Sequence, residues 1–193
     1  IFFSVGLISP YTQVNDNNNL LFRNNGDGTF SEVADTAGLL ANTDGAHNEK
    51  TQGASIIDID DDGDLDIIVG NSASPPRIYY NQATAQTSNH WIKFDLVAKD
   101  GQTALGAIVE IDAGDVHQSR INTGCAGSFG CDATSIHFGL GDAEVVDTIT
   151  IHWPSGEATT MHDVDADQKL SIVEGSGYET SNPLHIVLSL LLF

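Results

Sequence analysis

The sequence predicts an all-β protein, and three observations carry that reading. Short β-branched runs recur along the chain, turns rich in Gly, Asn and Asp separate them, and apolar residues nowhere keep a sustained helical spacing. The expected strands include 55–57, 65–69, 77–80, 91–97, 107–111, 135–138, 148–153 and 170–173. The 19 Gly supply the positive φ that tight turns between strands require. With 193 residues, 40% of them hydrophobic, the chain can bury a core. Its formal charge of -20, from 7 basic and 27 acidic residues, excludes nucleic acid and anionic lipid surfaces as partners. The acids are lopsided: 7 are Glu and 20 are Asp, and six of the Asp fall between positions 58 and 66. Clustered Asp points to loops and hard cations rather than to helices.

That cluster reads Asp58-Ile-Asp60-Asp61-Asp62-Gly63-Asp64-Leu-Asp66. Carboxylates at alternate positions, a Gly for the sharp turn and a last carboxylate at 66 wrap oxygen ligands around one point, which is the chemistry of Ca2+. Asp58, Asp60, Asp62 and Asp66 are expected to ligate through side chains and Asp64 through its carbonyl, with Asp61 turned to solvent. An EF-hand is excluded, because Val69 stands where its bidentate Glu would be and the flanks are β-branched. The expected motif is a β-hairpin closed by Ca2+. A merely solvated acidic turn would leave six like charges in nine residues to repel one another.

The loop resembles the FG-GAP/VCBS repeat, whose motif has the form DxDxDGxxD, and the preceding Leu20-Leu-Phe-Arg-Asn-Asn-Gly-Asp-Gly-Thr-Phe30 is similar to the opening of such a repeat. Arg77-Ile-Tyr-Tyr-Asn81 is similar to the start of another. From Asn89 onward the chain resembles the ASPIC/UnbV domain, in Asn89-His-Trp91, Leu105-Gly-Ala107, His137-Phe-Gly-Leu-Gly141, Ile151-His-Trp-Pro-Ser-Gly156 and Asp167-Gln-Lys-Leu170. The resemblance implies an incomplete propeller-like β repeat with a Ca-binding hairpin loop, packed on a β-sandwich-like domain, in a secreted or cell-surface protein. It divides the chain into an N-terminal apolar strand (1–10), a repeat region (11–88), an ASPIC/UnbV-like domain (89–175), and a linker with a C-terminal apolar strand (176–193). Residues 20–81 supply one or two blades, short of the four or more that close a propeller.

Open blades leave open edges, and the termini carry strands suited to fill them. Leu184, Ile186, Leu188, Leu190 and Leu192 share one strand face, and so do Phe3, Val5 and Leu7. These strands can enter the protein's own core or a groove on another copy, which would propagate a polymer. The expected function is therefore a non-catalytic, calcium-stabilised structural or adhesive subunit that self-assembles through its ends. The alternative is a monomeric module that binds glycans or cell-surface proteins. Neither apolar end is long enough for a helical membrane span, and 1–9 lacks the basic region of a signal peptide. Cys125 and Cys131 can form a disulfide across a Gly-rich loop, which would imply an oxidising compartment, or remain reduced. No nucleophile stands out: Ser155 lies in a Trp-Pro-Ser-Gly turn rather than a nucleophile elbow. Asp163, Asp165 and Asp167 recur at period two and can offer a second cation site, without a Gly to complete a loop. Asp27 reads as a turn residue before it reads as a ligand.

Overall fold

The computed structural model describes residues 2–4, 19–39, 51–71, 75–83, 87–124, 135–176 and 178–180. The described residues form fourteen strands: β1 (Phe2–Ser4), β2 (Leu20–Asn24), β3 (Phe30–Glu32), β4 (Thr51–Ile57), β5 (Asp66–Asn71), β6 (Arg77–Tyr79), β7 (His90–Val97), β8 (Ile108–Ala113), β9 (Val116–Ile121), β10 (Ile136–Gly141), β11 (Val145–His152), β12 (Ala158–Asp165), β13 (Gln168–Val173) and β14 (Tyr178–Thr180). They make four sheets, in the orders β1-β2-β3, β4-β5-β6, β10-β7-β13-β14 and β12-β11-β8-β9. No closed propeller forms among the described residues. None of their helices is long and apolar enough to cross a membrane.

Two compact units result: 1–57 with 65–81 and 126–132, and 58–64 with 82–125 and 133–193. In the first, Leu21, Ala34 and Leu39 are buried together, with Val33, Ile67 and Tyr79 packed against them. The β2–β3 turn closes through side-chain mimicry of the backbone: Asn24 Oδ1 accepts from Gly26 N at 2.9 Å, and Asp27 Oδ1 accepts from Thr29 N at 2.9 Å. The Thr29 hydroxyl also donates to Asp27, and these bonds hold the Asp27 carboxyl below its ordinary value. Asp27 is thus a turn residue. Strand β1 pairs antiparallel with β2, Phe3 opposite Leu21, so the N-terminal strand is used within its own chain.

The second unit draws its core from the inward residues of both four-stranded sheets. Ile92, Phe94 and Leu96 of β7, Val109 and Ile111 of β8, Ile149 and Ile151 of β11, and Leu170 and Ile172 of β13 alternate with outward polar residues, the period-two signature of a half-buried strand. Strand β7 pairs antiparallel with β10 but parallel with β13, with Lys93 opposite both His137 and Lys169. The sequence does not predict β9 or β12, because their inward positions are few: in β12 only Met161 and Val164 are buried. Strand β14 lies in the segment read as linker and extends the sheet beside β13. Val5, Leu7, Leu184, Ile186, Leu188, Leu190, Leu192, Cys125 and Cys131 lie outside the described residues.

Candidate metal centre

Strands β4 and β5 pair antiparallel up to Ile57 opposite Asp66, so the intervening residues must turn back within one hairpin loop. The β-branched residues Ile56, Ile57, Ile67 and Ile68 favour the extended flanks. The turn uses two left-handed backbones, Asp61 at φ 57 and Gly63 at φ 92. Gly63 is required twice over. Its φ is costly for any side chain, and a Cβ there would stand 1.9 Å from Trp91 Nε1.

The loop brings one carboxylate oxygen each from Asp58, Asp60 and Asp66 within 4.8 Å of one another. Two oxygens that each lie about 2.3–2.6 Å from one Ca2+ are separated by at most about 5.2 Å, so the three can share a single ion. Asp58 and Asp66 are buried and Asp60 is exposed. Asp58 Oδ2 accepts from Lys93 Nζ at 3.0 Å and Gly63 N at 3.3 Å, whereas the buried Asp58 Oδ1 has no hydrogen-bond partner. A buried carboxylate oxygen without a donor is costly, and a cation is the partner that this all-oxygen site lacks. Asp66 Oδ1 accepts from Asn81 N at 2.8 Å, which fixes its carboxylate at the start of β5. The residues fit a hard divalent ion.

Asp62, expected to ligate through its side chain, and Asp64, expected to ligate through its carbonyl, lie in the same turn. The Asp62 side chain is exposed and accepts from Asp64 N at 2.9 Å, bracing the turn, and Asp64 is buried with 6% exposure. The Asp62 carboxylate is not part of the converging group. Desolvation by the surrounding loop raises the Asp62 carboxyl above its ordinary value; the Asp64 N–H opposes this, while the Asp60, Asp64 and Asp58 carboxylates add to it. Asp61, expected to face water alone, has an exposed carboxylate that pairs with Lys93 Nζ at 3.0 Å, and this bond holds it below its ordinary value.

Lys93, Trp91 and His137 were not predicted as part of the site. Within the second unit they meet loop residues 58–64 from the outer face of β7 and β10. Lys93 is 5% exposed; burial alone would lower its ammonium, but the bonds to Asp58 and Asp61 hold it above its ordinary value. His137 Nε2–H donates to Gly63 O at 2.7 Å, and its ring stacks on Trp91 with centroids 6.1 Å apart and planes at 10°. The weak signal in the sequence was alternation: Trp91 and Lys93 occupy outward positions that alternate with the core residues Ile92 and Phe94. Asp167, the last of the period-two acids, is committed elsewhere. Its carboxylate accepts from Trp91 N at 3.2 Å and faces His90 Nδ1 at 2.6 Å.

Burial lowers the His137 imidazole below its ordinary value, the bond to Gly63 O opposing only in part. Below pH about 6.5 the unfolded chain therefore takes up a proton that the folded chain refuses. Stability contributed here is complete above that pH and is lost as pH falls toward the depressed folded value. His137→Gln keeps a donor for Gly63 O and is expected to remove up to about 1.4 kcal/mol per pH unit of this slope. Denaturant midpoints in EDTA from about pH 7 to about pH 5 check it; equal slopes in both proteins contradict it.

Comparison with known proteins places this geometry. The FG-GAP-like repeat family matches residues 7–69, which include the whole cation loop, and the ASPIC and UnbV family matches residues 98–179. By these matches the chain is similar to an FG-GAP-like repeat followed by an ASPIC and UnbV domain. Human cartilage acidic protein 1 is 39% identical over 66 residues, which are 34% of this chain and 9% of that protein's length. The chain thus spans a small part of that relative. The ASPIC and UnbV match begins one residue after β7 ends, so Trp91 and Lys93 precede it and His137 lies inside it.

Proposed function

We propose that this chain is a non-catalytic calcium-binding module of a secreted or cell-surface protein, with one Ca2+ held in the hairpin loop by Asp58, Asp60 and Asp66. The observation that carries the reading is the buried Asp58 Oδ1, which has no donor beside two converging carboxylates. Similarity of residues 7–69 to the FG-GAP-like repeat supports the choice of Ca2+ among hard cations. The ion's work is mechanical. It cancels repulsion among loop carboxylates and ties the end of β4 to the start of β5.

A saturating ion adds about 2.7 kcal/mol of stability at 100 times Kd. Transfer from Ca2+ to EDTA is therefore expected to lower the melting temperature by about 5–10 °C. Asp60→Asn tests the site without disturbing a buried group: it is expected to weaken Ca2+ binding in calorimetry at least about tenfold, a loss of 1.4 kcal/mol or more, and to melt like the parent chain in EDTA. An unchanged melting curve on chelation, together with no heat of Ca2+ binding, refutes the reading.

The finer role we propose is that of a structural or adhesive subunit assembling through its apolar C-terminal strand, as the alternation of Leu184, Ile186, Leu188, Leu190 and Leu192 suggests. Pairing of β1 with β2 in the same chain favours the second reading, a monomeric module for glycans or cell-surface proteins. Sedimentation of the same calcium-loaded samples separates them. Concentration-dependent polymers support strand donation, and a single monomeric boundary supports the module.

A further inference from the structure

The loop's negative charge meets a buried lysine of the second unit. Among the described residues Lys93 is the one buried lysine. It stands on β7 between Ile92 and Phe94, whose side chains enter the core, so its own side chain leaves the opposite face of the sheet. There Nζ lies 3.0 Å from Asp58 Oδ2 and 3.0 Å from Asp61 Oδ1, bridging the first and fourth residues of the loop. The Asp58 side chain has no exposure at all. Its oxygens have different fates: Oδ2 is committed to Lys93 and Gly63 N, and Oδ1 is left without a donor.

We propose that Lys93 is a resident counter-cation, a positioning residue that keeps the loop folded in its binding-ready form when no metal is present and commits Asp58 to ligate through Oδ1 alone. The proposal rests on the calcium reading of the loop and extends it to the metal-free state. A buried carboxylate with no positive partner must be neutralised or return to water. If Ca2+ were the only such partner, the loop would leave its seat whenever the ion left. Lys93 removes that dependence, because it belongs to a strand anchored by the core and cannot dissociate. By occupying Oδ2 it also prevents the carboxylate from turning both oxygens to the ion.

The indole N–H resonances report the seat directly. Trp91 Nε1 lies against Gly63, whereas Trp153 Nε1 donates to Thr159 Oγ1 at 2.8 Å and serves as an internal reference. Proton–nitrogen correlation spectra of 15N-labelled wild type, Lys93→Met and Lys93→Arg are compared in EDTA and in saturating Ca2+. The expected result is a wild-type Trp91 resonance at nearly one position in both conditions. In Lys93→Met it is displaced or broadened in EDTA and restored by Ca2+, and Lys93→Arg behaves as wild type. The Trp153 resonance stays in place throughout, which separates loss of the seat from loss of the fold. Should Lys93→Met unfold, Lys93→Gln carries the same comparison, keeping a neutral donor for Asp58. The proposal is overturned if the neutral variant matches wild type in EDTA, or if its Trp91 resonance stays displaced while calorimetry shows that Ca2+ has bound. Absence of any Ca2+ binding to wild type would instead overturn the calcium reading, and the EDTA comparison still decides whether Lys93 holds the loop.

Discussion

Phe138→Ala is expected to cost about 3–5 kcal/mol, the largest loss of any single truncation considered. Phe138 is fully buried on β10, its ring meets Phe94 of β7 edge-on at 5.9 Å and 78°, and the Arg120 guanidinium lies 5.3 Å from its centroid. The truncation removes dispersion contacts, leaves a cavity and cancels both ring interactions at once. Denaturant unfolding followed by near-ultraviolet circular dichroism measures it. Combining the change with Phe94→Ala should cost less than the two losses added, since the edge-on contact is then counted twice. A loss below about 1 kcal/mol would mean that the two rings do not form the centre of this core.

Gly63→Ala is expected to cost about 2–4 kcal/mol, combining a side chain at positive φ with a clash that the neighbour cannot avoid. The new Cβ would stand 1.9, 2.2 and 2.3 Å from Nε1, Cε2 and Cδ1 of Trp91. The stacked His137 ring restricts how far the indole can move away. Gly28→Ala supplies the control, because Gly28 has a similar φ of +87 and nothing within 4 Å of the added atom. It should lose only the conformational part, about 1 kcal/mol. Thermal melts in saturating Ca2+ compare the two, and Trp91→Ala in the Gly63→Ala background should recover part of the difference. Equal losses at the two glycines would show that the indole does not press on the loop.

The sequence made the strand-rich fold legible wherever an element carried several apolar residues inward, as β7, β8 and β11 do. It was silent at β9 and β12, whose faces are mostly in water, so propensity and burial left little pattern to read. The carboxylates of the loop were legible for a local reason: ligands to one ion must recur within a few residues, and Asp58, Asp60 and Asp66 converge as that spacing required. Lys93 and His137 were not, because the loop meets them across 35 and 74 positions of sequence. Nothing in a local window distinguishes an outward lysine that faces a buried carboxylate from one that faces water. Trp91 shows the same limit. It is only partly buried and lies against a glycine backbone and a histidine ring, neither of which is near it in sequence.

The parallel pairing of β7 with β13 sets the order in which this molecule can be built. The Trp91 amide is held by Asp167, 76 positions later, and the whole of β13 must be synthesised before β7 has a neighbour on that side. Contacts of such separation form slowly, since the chain must close a large loop before any of them rewards it. During translation the acidic hairpin therefore emerges long before the sheet that supplies its lysine and histidine is complete. For that interval the nascent loop is without Lys93 and His137.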